Sequence, residues 1–301
     1  MQVWSNRTLI RAFAAGFALL VLFGGRTAIS QTTAPRDIVL GQVRTLHSSI
    51  LNQDRPYWIY LPPSYASSAE SGRTFPVLYL LDGGAHFNMV TGVVHHLSAP
   101  NSGTFYMPES IIVGLPNMGR THNMTPVHID SGAYSENSGG APMFLEFLRK
   151  ELIPEIQANY RVTQERTIVG HSLAGLFALN VLLTAPETFA HYIAIDPSLF
   201  WGDQYLVRQL KDWRAPDADP PRSVYIAQGN SPLSDYEDAS LKKPHEAGIR
   251  NFRKLLEARK GKNTRTGFEY FATETHRSVV LPAVWQGLQF TYKGYVPQPA
   301  N

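Results

Sequence analysis

Residues 166–176 read Arg-Thr-Ile-Val-Gly-His-Ser-Leu-Ala-Gly-Leu. The β-branched run Thr167-Ile168-Val169 predicts a strand that reaches Gly170. Ser172 follows, and the small and apolar run from Leu173 to Leu183 predicts a helix. A serine is thereby placed at the apex of a strand–turn–helix unit, the geometry of a nucleophile elbow. The chemistry needs that geometry. A hydroxyl is a weak nucleophile until it is lifted out of the sheet, bonded to a base and faced by donors for an oxyanion. Gly170 tolerates a strained turn, and the start of the following helix favours negative charge above it. Ala174 stands where the Gly-x-Ser-x-Gly pattern has its second glycine, and its side chain is small enough to fit there.

Upstream, the nearly continuous apolar run Thr74–Leu81 predicts a strand buried on both faces of a mostly parallel sheet. It runs into Leu81-Asp82-Gly83-Gly84-Ala85-His86-Phe87, a loop whose glycines let backbone N–H groups approach a substrate closely. The oxyanion donors expected are the N–H of Leu173, directly after the serine, and that of Gly84, with Gly83 as the second choice. Asp82 precedes the serine in the chain and reads as a structural hydrogen-bonding residue of the loop.

Downstream, His276 follows the last predicted strand, Gly267–Phe271, and precedes the last predicted helix, Pro282–Tyr292. That is where a base falls in the chain order serine, acid, histidine. His171, inside the elbow, reads as a packing or hydrogen-bonding neighbour of the serine. The acid that orients the base usually follows the penultimate strand, here Ser223–Ala227. The loop from Gln228 onward holds Asp235, Glu237 and Asp238, of which Asp235 is the expected acid. Asp196, directly after the predicted strand His191–Ile195, is the second location, and a Ser–His dyad without a carboxylate is the third alternative. Phe200 and Trp201 are candidate walls of a substrate pocket, and equally candidates for the core. No His-Glu-x-x-His or comparable ligand spacing occurs, so no catalytic metal and no cofactor are expected.

Further predicted strands are Val43–Ser48, Tyr57–Leu61, Ser110–Gly114 and Ile168–Gly170. Phe144, Leu148, Leu152 and Ile156 recur on one helical face, with Pro154 expected to kink that helix or mark its last turn. Ala247–Lys260 is another predicted helix. Strands alternating with helices predict an α/β fold with a mostly parallel central sheet and helices on both faces. The chain of 301 residues, 44% of them hydrophobic, suffices for one such domain, expected over residues 31–301. A net charge of +3 without a dense basic cluster argues against nucleic acid as a partner. Residues 1–30 read as a signal peptide: Arg7 and Arg11, the apolar stretch Ala12–Gly25, then Ala28-Ile29-Ser30 before Gln31. The expectation is an exported chain, periplasmic or secreted, with no stable membrane insertion after cleavage. An uncleaved anchor is the alternative. With no cysteine in the chain, disulfides, lipoprotein anchoring and thiolate metal sites are excluded.

Five segments together carry a resemblance. They are Val77–Gly83 (Val-Leu-Tyr-Leu-Leu-Asp-Gly), Phe144–Pro154, Gly170–Ala178, Asp196–Trp201 (Asp-Pro-Ser-Leu-Phe-Trp) and Glu274–Ser278. In these the chain resembles the esterase branch of the α/β-hydrolase superfamily, which includes esterase D-like proteins and ferric-siderophore esterases. The resemblance implies the α/β-hydrolase fold and serine-dependent cleavage of carboxylic esters through an acyl-enzyme. It implies Ser172 as nucleophile, His276 as base, Gly84 and Leu173 as oxyanion donors, and a small-molecule ester as substrate: siderophore, carbohydrate or phenolic. Ala174, Arg277 and the loosely matching stretch Arg120–Pro126 depart from the branch's pattern. Two other readings stand beside it: an acyltransferase on the same scaffold, and a non-catalytic binding protein with this fold.

Overall fold

The computed structural model describes residues 37–68, 72–99, 103–131, 135–216, 220–230 and 239–297. The expected signal peptide lies outside them. One compact unit, Leu40–Asn301, contains every described element. In chain order these are β1 (Gln42–Ser48), β2 (Gln53–Tyr60), α1 (Ser64–Ser67), β3 (Phe75–Leu80), α2 (Gly83–Leu97), β4 (Ile111–Gly114), α3 (Arg120–Met124), α4 (Ala141–Phe147), α5 (Ile153–Asn159), β5 (Val162–His171), α6 (Leu173–Thr184), β6 (His191–Ile195), α7 (Trp201–Asp212), β7 (Arg222–Gly229), α8 (Lys242–Arg259), β8 (Thr264–Phe271) and α9 (Val280–Thr291).

The eight strands form one sheet in the order β1-β2-β4-β3-β5-β6-β7-β8. β1–β2 and β2–β4 pair antiparallel, and every other pair is parallel. This is the α/β-hydrolase fold. The all-buried strand β3 explains the continuous apolar run in its sequence, since helices cover it on both sides. One apolar layer lies under α4–α8, the other under α2 and α9. Helix α6 is buried from Leu173 to Leu182 and, apart from Asn180, apolar, as a central helix must be.

From β3 the chain steps to β4 on one side of it, then returns to β5 on the other. Strand order therefore reverses between β3 and β5, and the loops after their carboxyl ends diverge into a crevice. That crevice receives the Asp82–Gly84 loop and Ser172.

Pro154 does not end its helix. A single π-helical stretch, Leu148–Leu152, lies just before it, and α5 continues to Asn159. The wider turn accommodates a residue that has no N–H to donate. No described helix is long and apolar enough to cross a membrane.

Candidate active site

The β5–α6 turn places Ser172 at φ 60°, ψ −118°, a strained conformation for a non-glycine residue. The surrounding backbone over-determines it. Ser172 N–H donates to the Ile195 carbonyl at 2.9 Å, and the Ser172 carbonyl accepts from Leu176 N–H at 2.9 Å and Ser198 N–H at 3.1 Å. A side chain at Gly170 would collide with the Ala174 carbonyl, which explains the glycine before the turn. A Cβ at Gly175 would sit 3.1 Å from Pro197 Cβ. The close helix–sheet contact is thus carried by Gly175, and the alanine at 174 is fully buried without hindrance.

Three side chains form a hydrogen-bonded chain. Ser172 Oγ lies 3.1 Å from His276 Nε2, and His276 Nδ1 lies 2.7 Å from Asp196 Oδ2. With Nδ1–H donated to the carboxylate, Nε2 carries the lone pair that accepts the serine hydroxyl. His276 is only 9% exposed and Asp196 2%, so little water competes for these bonds. The carboxylate hydrogen-bonded to His276 is Asp196, directly after β6, the second of the locations expected from the sequence. Asp235, Glu237 and Asp238 lie outside the described residues. Asp196 turns out of β6 at φ 43°, and its Oδ1 accepts from Gly229 N–H at 3.1 Å and His245 Nε2–H at 2.9 Å. Burial pushes its carboxyl up, but the donors His245 and His276 outweigh it and hold the group below the usual carboxylate range.

Asp196, His245 and His276 are also the one set among the described residues that brings three metal-type donor atoms within 4.8 Å. Both imidazoles turn those nitrogens to Asp196 as hydrogen-bond donors.

His171 lies beneath the base. Its ring centroid is 4.6 Å from that of His276, and its Nε2–H donates to the His276 carbonyl at 2.8 Å. Burial, helped by nearby His276, holds it neutral, with its pKa down at about 3 from 6.5. Between those values the unfolded chain binds a proton that the folded chain does not. Stability is accordingly lost as pH falls below 6.5, by up to about 1.4 kcal/mol per pH unit from this group. Urea midpoints measured downward from pH 6.5 should show that slope in the wild type and a shallower one in His171→Asn.

On the oxyanion side, Gly83 N–H is spent on the Leu115 carbonyl at 2.8 Å, which removes it as a donor. Gly84 is the next residue of α2 and is exposed, with open space where a side chain would stand. Leu173 opens α6. Both lie in first turns, whose N–H groups have no acceptor within their helix.

Asp82 is at φ 55° and buried, and Arg120 clamps it through Nε to Oδ1 at 2.7 Å and Nη2 to Oδ2 at 2.8 Å. The same Nη2 donates to the His171 carbonyl at 3.1 Å. One guanidinium thus ties the Gly84 loop to the strand that delivers Ser172. Arg120→Met should lower stability by about 3 kcal/mol in urea unfolding, because it strands a buried carboxylate. Asp82→Asn in the same chain should recover part of that loss, whereas Arg120→Lys should not restore the two-pronged geometry.

Trp201 is a core residue: 2% exposed, its Nε1–H donates to the Val127 carbonyl at 2.9 Å. Phe200 is half-buried, with its ring 6.0 Å from that of His245. The sequence offers Arg120 only as the start of the loosely matching stretch Arg120–Pro126, and gives His245 no role. The helix was expected to open at Ala247, yet α8 begins at Lys242 with Pro244 in its first turn, where a missing N–H is harmless.

A family profile described as "Putative esterase" matches residues 48–247. The ferri-bacillibactin esterase BesA of Bacillus subtilis is 29% identical over 271 residues, covering 83% of this chain and 88% of that one. A siderophore triacetylfusarinine C esterase of Aspergillus fumigatus is 31% identical over 173 residues, 54% of this chain and 58% of that protein. The crystal structure of an IroE-like serine hydrolase from Shewanella oneidensis superposes with a TM-score of 0.73 at 30% identity. The match covers 86% of this chain and 82% of that one.

Proposed function

Because the chain belongs to the Putative esterase family and is a carboxylic ester hydrolase, we propose that it opens siderophore esters through an acyl-enzyme formed on Ser172. The observation that carries this reading is the unbroken hydrogen-bonded chain from Ser172 Oγ through His276 to Asp196. In the first step His276 Nε2 takes the hydroxyl proton as Ser172 Oγ attacks the ester carbonyl. Asp196 stabilises the imidazolium, and the N–H groups of Leu173 and Gly84 hold the oxyanion. His276 then protonates the leaving alkoxide as the C–O bond breaks, which leaves the acyl group on Ser172. In the second step His276 deprotonates a water that attacks the acyl carbon; the acyl–Oγ bond then breaks, the carboxylic acid leaves, and Ser172 Oγ takes back a proton from the imidazolium.

The substrate class is supported by the relatives named as siderophore esterases. An exported, periplasmic or secreted enzyme suits scavenging of such compounds, and N-terminal sequencing of protein from the secreting cell should begin at Gln31. The substrate test is a panel of ferric and iron-free triscatecholate lactones, p-nitrophenyl acyl esters and feruloyl esters. The highest kcat/KM is expected on a siderophore ester; a preference for feruloyl or simple acyl esters would overturn the substrate assignment. Labelling of Ser172 by a fluorophosphonate tests the nucleophile separately from the substrate.

A further inference from the structure

The carboxylate that orients His276 has a second imidazole on its other oxygen. His245, on α8, is 2% exposed, and its Nε2 is 2.9 Å from Asp196 Oδ1 while His276 Nδ1 holds Oδ2. The two imidazole rings stand edge to face at 5.8 Å and 88°. Gly229 N–H donates to the same oxygen at 3.1 Å, so the imidazole is one of two donors that hold it. The two Oδ1 lone pairs are filled by one backbone donor and one side chain.

We propose that His245 is a positioning residue that fixes the rotation of Asp196 and governs how strongly Asp196 holds the protonated His276. The inference rests on the reading of Ser172, His276 and Asp196 given above. A donor on Oδ1 draws carboxylate charge toward itself and leaves less of it facing His276. Removing that donor makes Asp196 a stronger partner for the imidazolium, so His276 keeps its proton to higher pH. It also frees the carboxylate to rotate, which blurs the alignment of the base with the serine.

The other described ionisable groups around His276 come from several elements. His171 on β5 packs against it with the rings tilted by 39°, and is held neutral by burial. His86 on α2 packs on His171 at 6.0 Å, and Arg120 on α3 donates to the His171 carbonyl. Glu274 and Arg277 flank His276 in its own loop, and α9 carries no ionisable side chain. All of these stay in place when His245 is replaced.

The test compares wild type, His245→Phe and His245→Gln by the pH profile of kcat/KM on a p-nitrophenyl ester. Competent sites are counted by fluorophosphonate titration. His245→Phe should move the acid limb up by roughly one pH unit. Its plateau kcat should fall roughly tenfold, the scale on which partners that orient a reacting ligand act in metal sites. Its sites should titrate fully. His245→Gln, which keeps an N–H donor, should return the limb toward its wild-type position. A wild-type limb in fully titrated His245→Phe would overturn the proposal. Should His245→Phe fail to fold, His245→Ala assayed with and without added imidazole takes its place: a limb that imidazole restores supports the proposal, and one that imidazole leaves unmoved overturns it. Wild-type protein that is not labelled at Ser172 would instead sink the hydrolase reading, independently of His245.

Discussion

Ser172→Ala should lower kcat by about six orders of magnitude, the scale seen when the nucleophile of a serine hydrolase is removed. The methyl group cannot form the acyl-enzyme, so only binding and the oxyanion donors remain, worth a residual of about a thousandfold over water. The fold should persist. The strained turn is held by backbone bonds from Ile195, Leu176 and Ser198 that do not involve the hydroxyl. The side-chain bonds lost are those to His276 at 3.1 Å and Ser198 at 3.2 Å. The check is steady-state hydrolysis together with fluorophosphonate labelling and a thermal melt. The Ser198 hydroxyl, hydrogen-bonded to Ser172 Oγ, is a neighbour that could mimic the nucleophile, so Ser198→Ala should leave the residual rate of Ser172→Ala unchanged. A Ser172→Ala protein with wild-type turnover would end the acyl-enzyme mechanism.

Asp196→Asn should cost about ten-thousandfold in kcat, with little change in shape. The reason lies in the count of donors. Three N–H groups point at this carboxylate: His276 on Oδ2, and His245 and Gly229 on Oδ1. An asparagine offers one oxygen and one NH2. Facing its oxygen toward His276 sets the NH2 against two donors, whereas the reverse sets it against one. The amide therefore turns its nitrogen to His276, whose Nδ1 must then accept, so the ring proton moves to Nε2. In that tautomer the base presents a proton to Ser172 where it needs a lone pair. Asp235→Asn assayed beside it should keep wild-type turnover; the opposite pattern in the two variants would return the acid to the loop after β7. Asp196 also stabilises the fold. Its folded-state pKa is depressed, so this contribution is complete above the ordinary carboxylate pKa of 3.8 and is lost as pH falls below it.

The elbow was legible because its signal is local. A β-branched run, a glycine and a serine lie within a few residues, and chain order alone brings out His276. The acid was not legible in the same way. The contact between Asp196 and His276 spans 80 positions and depends on β6 ending beneath the loop that follows β8. A lone aspartate after a strand looks the same whether it is solvated or faces a base. Aromatic size did not separate Trp201 as core from a pocket wall either. What decides it is a partner for the indole N–H, here the Val127 carbonyl. Arg120 needed the tertiary structure in a third sense, since its value lies in joining two loops that are distant in sequence.

With Asp196 proposed as the acid, the Ser172–His276–Asp196 chain is drawn from the ends of β5 and β6 and the loop after β8, not from the stretch between Asn230 and Ala239. Lengthening that stretch costs little in closure entropy, on the order of 0.6 kcal/mol for each doubling. Its flanks are anchored independently: Asn230 N–H to the Glu274 carbonyl at 2.7 Å, and His245 to Asp196. The reacting groups are therefore held from both ends of the β7–α8 connection, so a change in its length is expected to leave the Ser172–His276–Asp196 hydrogen bonds in place.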